Sequence, residues 1–95
     1  MKNEFQNYII LKIRRLREER KISQLKLSYI LGISPGQMGN IESCRQANKY
    51  TLEQIYKISK TFNIPIEQIF LDEEDFNNGN NFVENLILKI IDYEG

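Results

Sequence analysis

Apolar positions in the first segment fall at Phe5, Ile9, Ile13 and Leu16, and Arg20 continues the row at intervals of 4, 4, 3 and 4. That spacing puts them on one face of a helix over residues 3–20 and leaves Lys12, Arg14, Arg15 and Glu18 elsewhere on it. A second helix opens at Ser23, whose hydroxyl suits an N-cap, and turns Leu27, Ile30 and Leu31 inward. Gly32 follows where a helix end wants a left-handed residue. Nowhere does the chain alternate strictly enough to read as a half-buried strand.

The next segment, ISPGQMGNIES at 33–43, raises a question. Glycine costs about 1 kcal/mol in a helix interior and proline about 3. Ser34 with Gln37 fits a capping box, which puts Pro35 at the first helical position, where its missing N–H is not needed. Met38 and Ile41 then mark the buried side of a helix over 35–43. Gly36, Gly39, Asn40 and Ser43 lie opposite, with Gln37 on a flank, so the outer face is nearly bare.

After a polar loop over 43–50, Thr51 with Gln54 forms a second capping box. It opens a helix with Leu52, Ile55, Ile58 and Phe62 in one row. Asn63 can end that helix, and Pro65 starts a short fifth one carrying Ile66, Ile69 and Phe70. Residues 72–81, acidic and then rich in Asn and Gly, read as a linker. Asn81 with Glu84 suits the start of a last helix over 82–93, where eight of twelve residues are apolar or aromatic. The pattern predicts an all-α chain: five helices over 1–71, the linker over 72–81, and an extra amphipathic helix within 82–95.

A formal net charge of zero conceals a division. Residues 1–62 carry twelve Lys/Arg against five Asp/Glu, a net +7, and residues 63–95 carry one against eight, a net −7. A basic module followed by an acidic segment suits a polyanion-binding domain. With no histidine and no GxxxxGK[ST] run, the commonest general base, metal ligand and phosphate loop are all missing. The carboxylate cluster at 72–75 reads as solvated linker, so no catalytic or metal site and no cofactor is expected, and the chain is not expected to be an enzyme. The single Cys44 permits no internal disulfide, Glu4 stands where a signal peptide would be basic, and the longest apolar run, 8–11, is too short to cross a bilayer. These features favour the cytoplasm and no membrane partner.

Two short helices joined by a glycine turn inside a basic all-helical domain suggest a helix-turn-helix. Over residues 8–70 the chain resembles the Xre/Cro-type, phage-repressor-like transcriptional regulators. The resemblance is carried by IRRLREERKISQLKLSYILGIS, MGNIES and TLEQIYKISKTFNIPIEQIF. Its most specific part is the ordered set Leu16-Arg17, Ser23-Gln24, Leu27, Leu31-Gly32-Ile33-Ser34, Met38 and Ile41-Glu42. The resemblance implies a five-helix repressor-like fold complete by Phe70, in which Gln24 binds a phosphate and Ser34 begins the turn at the edge of the major groove. It also implies a structural ion pair between Arg17 and Glu42. The chain departs from the family in placing Cys44 where a glycine is common and in a longer loop before Leu52. Arg45 and Lys49 are therefore expected to supply the loop's charge toward phosphate.

Asn and Gln pair bidentately with adenine N6 and N7, which makes Asn40 the first candidate reader and Gln37 the second. Pro35 would touch a thymine methyl, and the bare face at Gly36, Gly39 and Ser43 would let backbone approach bases or phosphates. Regulators of this kind bind as dimers on two-fold sites, so Phe82, Val83, Leu86, Ile87, Ile90 and Ile91 are expected to hold a homodimer. The sequence thus points to a double-stranded DNA-binding transcriptional regulator, a dimeric repressor reading the major groove with the helix over 35–43. The alternative is an antitoxin-like or adaptor module that uses the same fold to bind a toxin or another regulator.

Overall fold

A computed structural model describes residues 2–44, 47–77 and 81–95. Among these residues there are seven helices and no strand: α1 (Glu4–Glu19), α2 (Gln24–Leu31), α3 (Pro35–Glu42), α4 (Leu52–Phe62), α5 (Ile66–Phe70), α6 (Glu73–Asn77) and α7 (Phe82–Glu94). Capping chemistry sets most of the starts. Ser34 and Thr51 open α3 and α4 through the reciprocal bonds that their S-x-x-Q and T-x-x-Q spacings predict. Asn3 and Gln6 form the same box at α1, where Asn3 Oδ1 accepts the Gln6 N–H at 2.7 Å. Left-handed residues close α2 and α4, Gly32 at φ +70° and Asn63 at φ +55°.

The core gathers one side of each principal helix. Ile9, Ile13, Leu27, Met38, Ile55, Ile58 and Ile69 are all fully buried. Each such side chain contributes roughly 1.5–3 kcal/mol relative to exposure. The inward row of α1 is Gln6, Ile9, Ile10, Ile13 and Arg17, rotated from the expected row, which ended at Arg20. Arg20 is instead exposed, with its guanidinium 5.2 Å from the centre of the Phe62 ring.

The core does not close at Phe70. α7 lies against α1 and α5, and Tyr93 is fully buried in the same cluster, its ring edge-on to Phe70 at 5.9 Å. The Tyr93 hydroxyl donates to the Tyr50 carbonyl at 2.7 Å, and Leu86 and Ile90 pack against the cluster. Residues 82–95 therefore belong to the same packed body as the first five helices. Of the six residues expected at a dimer face, Leu86 and Ile90 turn to that core and Phe82 meets Phe76 at 5.4 Å. Val83, Ile87 and Ile91 stay exposed, joined by Leu88.

The expected linker is partly helical. Asp72 and Asp75 cap each other across α6, Asp75 N–H to Asp72 Oδ1 at 3.0 Å and Asp72 N–H to Asp75 Oδ2 at 3.1 Å. These bonds hold the Asp72 carboxyl below its ordinary value. At the other end, Asn81 precedes α7 without a side-chain cap bond, so the expected Asn81–Glu84 box does not form.

Candidate nucleic-acid interface

α3 is fixed from its inner side and bare on its outer side. Met38 and Ile41 anchor it against α1 and α2, while Ser34, Pro35, Gly36, Gln37, Asn40 and Ser43 are exposed and Gly39 is half-exposed. No atom lies within 4 Å of where a Cβ on Gly39 would stand, and a Cβ on Gly36 would meet only Ser34 Oγ at 3.9 Å. The glycines are not required by internal packing.

A buried ion pair sets the position of the far end of α3. Arg17 Nε donates to Glu42 Oε2 at 2.8 Å and Arg17 Nη2 donates to Glu42 Oε1 at 2.9 Å, with the two residues only 6% and 2% exposed. This fork-on-fork geometry fixes orientation as well as distance. Arg17 Nη1 also donates to the Ile22 carbonyl at 2.6 Å, so the guanidinium joins α1, the α1–α2 turn and α3. The hydrogen bond to Glu42 raises the arginine's pKa further. The pair expected from the resemblance is present.

Gln24 joins the same carboxylate, its Nε2 donating to Glu42 Oε1 at 2.9 Å. A primary amide carries two N–H groups, so a phosphate can still be offered the other one. Arg14 completes the group. Its Nε lies 3.9 Å from Glu42 Oε1, and its side chain is 46% exposed. Arg14 Nε also lies 3.7 Å from Glu18 Oε2, a surface pair within α1, so Arg14 is the half-exposed cation of this group and is shared between two carboxylates at long range.

Gln37 and Asn40 differ in readiness. The Gln37 side-chain oxygen accepts the Ser34 N–H at 3.2 Å in the capping box, and bidentate reading of adenine would require it to leave. Asn40 is exposed in the middle of the outer face, bearing no part of the cap. The Ser43 hydroxyl donates to the Asn40 carbonyl at 3.0 Å.

The loop after α3 is held differently from expectation. Cys44 adopts φ +60°, the left-handed conformation for which glycine is suited, and it packs partly buried against the core. Arg45 lies outside the described residues. Lys49 points to the end of α7, its Nζ donating to the carbonyls of Glu94 at 2.8 Å and Tyr93 at 3.1 Å. It caps a helix there and is not turned toward the outer face of α3. Lys2 ties the other side of the loop, donating to the Asn48 carbonyl at 2.8 Å and the Ile41 carbonyl at 3.3 Å.

The two short helices, the tight glycine turn and the outward face of the second are the geometry of a helix-turn-helix unit. A family model described as a helix-turn-helix domain matches residues 11–75, more than half of the chain. The chain belongs to this helix-turn-helix domain family. No curated protein and no solved structure matches the chain. The helix-turn-helix assignment supports DNA binding, with α2 and α3 as the two helices of the motif.

Within the helix-turn-helix unit, sequence reading missed Arg14 and the structural work of Lys2, Lys49 and Tyr93. Arg14 was legible, since it precedes Arg17 by three positions and so shares its helix face. The other three act across 39 to 46 residues of sequence, a separation at which local spacing carries no signal.

Proposed function

We propose that this helix-turn-helix protein is a sequence-specific transcriptional regulator that reads the major groove with α3 and acts as a dimeric repressor by occupying its operator. The observation that carries the proposal is the outer face of α3: exposed Asn40 beside Gly36 and Gly39, on a helix locked by the Arg17–Glu42 pair. Asn40 reads a base edge. Gln24 and Arg14 set the register by contacting phosphate, and the Gly36–Gly39 surface lets the helix sit deep. No catalysis or cofactor enters this role, and the protein acts in the cytoplasm.

A second copy completes the reader. An eight-residue helix covers one half-site, and Val83, Ile87, Leu88 and Ile91 form an exposed apolar flank on α7 that a two-fold partner would bury. Half-sites would then lie roughly 34 Å apart. The adaptor alternative would bind a protein partner through this flank or through the bare face of α3.

The test starts with selection of bound duplexes from a random pool. Asn40→Ala should cost about 1–3 kcal/mol on the selected duplex and relax preference at one position. Arg14→Ala should weaken binding to every duplex and flatten the salt slope by about 0.9 per lost phosphate contact. Failure to select any sequence, together with salt-independent binding, would leave only the adaptor reading.

A further inference from the structure

Four hydrogen bonds converge on the last turn of α7, and they come from the start of α1 and from the loop between α3 and α4. Gln6 Nε2 donates to the Tyr93 carbonyl at 2.6 Å, and Asn3 Nδ2 to the Asp92 carbonyl at 3.1 Å. Lys49 Nζ donates to the carbonyls of Tyr93 and Glu94 and stands 5.4 Å from the centre of the Tyr93 ring. In the reverse direction, the Tyr93 hydroxyl donates to the Tyr50 carbonyl at 2.7 Å. Tyr50 is itself fully buried, and its hydroxyl donates to Met38 Sδ at 3.6 Å. Met38 is the central inward residue of α3.

A continuous path therefore runs from α7 through Tyr50 to the inner side of the DNA-reading helix. General stabilisation of the core would be met by apolar contact, as Ile55 and Ile58 meet it. Here two buried phenols are aimed in sequence, Tyr93 at a backbone carbonyl of the α3–α4 loop and Tyr50 at the side chain that seats α3. Directed bonds of this kind fix position, which apolar contact alone leaves adjustable.

We propose that Tyr93 is a positioning residue for DNA reading: its hydroxyl holds the Lys49–Tyr50 segment, and through Tyr50 and Met38 sets the seating of α3. The proposal rests on the DNA-reading role above.

Tyr93→Phe in the full chain keeps the ring and removes the donor, and Ile58→Val serves as a comparison that loosens the core away from this path. The affinities of both variants for the duplex selected from a random pool and for an unselected duplex give a specificity ratio at concentrations where the protein is folded. Tyr93→Phe should lower that ratio about fivefold, the scale of one net hydrogen bond, and speed amide exchange at Met38 and at residues 48–51. Ile58→Val should leave the ratio unchanged. Lys49→Met, which removes the other tie to the same turn, should move the ratio in the same direction. An unchanged ratio in Tyr93→Phe, or equal loss in Ile58→Val, would overturn the positioning role. If the wild-type chain prefers no duplex, the DNA reading fails. Amide exchange then decides the positioning claim alone: faster exchange at Met38 in Tyr93→Phe and not in Ile58→Val supports it, and the converse overturns it.

Discussion

α3 and α7 reach the same core and meet solvent with opposite faces. α3 buries Met38 and Ile41 and shows the outside glycine, serine and amides. α7 buries Leu86, Ile90 and Tyr93 and shows the outside Val83, Ile87, Leu88 and Ile91. Water tolerates the first surface at no cost, whereas the second is an apolar flank that stays favourable only when covered. The bare polar face suits a hydrated polyanion with hydrogen-bonding edges, and the apolar face suits another protein surface. The two faces therefore suit different kinds of surface.

Their anchors differ as well, and removing these should give the largest effects. α3 is held at its end by a buried ion pair, so Arg17→Ala strands Glu42 in the core and should cost about 3–5 kcal/mol. Arg17→Met with Glu42→Leu should cost less than Arg17→Ala alone, because neither charge is left behind. Tyr93→Ala opens a cavity at the α7 anchor and should cost about 3–5 kcal/mol. Denaturant titration measures all three. A chain cut after Leu71 should then be unfolded or close to it, where an independent five-helix core would have kept its transition. Burial also pushes the Tyr50 and Tyr93 phenols up. Their folded values exceed the unfolded value near 10, so this contribution is whole below about pH 10 and is lost as pH rises further. Alkaline melts should reveal that loss, reduced in Tyr93→Phe.

The outer face of α7 should matter for assembly and little for folding. Ile87→Glu and Ile91→Glu change exposed positions, so stability should stay within about 0.5 kcal/mol. If the flank holds a second copy, sedimentation should shift to a monomer, and affinity for a two-half-site duplex should fall by about a hundredfold or more through lost avidity. Single-half-site binding should be unchanged. A monomeric wild type would move this face to a different protein partner.

How much of this was legible depends on reach. Caps and turns lie within three or four residues, and the serine, threonine and glycine signals at Ser23, Gly32, Ser34 and Thr51 placed α2, α3 and α4 correctly. The short helix α6 was missed because its acidic composition reads as loop, although the Asp72–Asp75 spacing was the available sign. Packing of α7 was not legible. A strongly apolar helix needs cover, but whether Tyr93 points to Tyr50 or to another chain is decided 43 residues away.

Cys44 falls between these cases, since the resemblance marked it as a departure and the structure gives the departure a backbone reason. A non-glycine residue at φ +60° costs roughly 1–2 kcal/mol, and glycine returns about half of that as unfolded-chain entropy. Cys44→Gly should therefore stabilise the fold by about 0.5–1 kcal/mol, seen as a melting temperature higher by several degrees. Cys44→Ala keeps the strained conformation and should show no such gain.

The smallest change tests why the outer face of α3 is bare. Gly39 sits in a regular helix with open space where its Cβ would be, so Gly39→Ala should raise stability by about 0.4–1 kcal/mol, mainly by restricting the unfolded chain. Gly36, one turn earlier and near Ser34 Oγ, should gain less. The two substitutions ask whether that face is used, and by what. If the use is close approach to DNA, the two methyl groups should hold α3 out of the groove, and specific affinity should fall while the melting temperature rises. Asn40→Ala should then cost less in the double alanine background, because its reach is already lost. If the use is a protein partner, stability should rise with DNA affinity unchanged. A tighter or equal DNA complex in Gly36→Ala/Gly39→Ala would reassign the bare face and leave base reading to another surface.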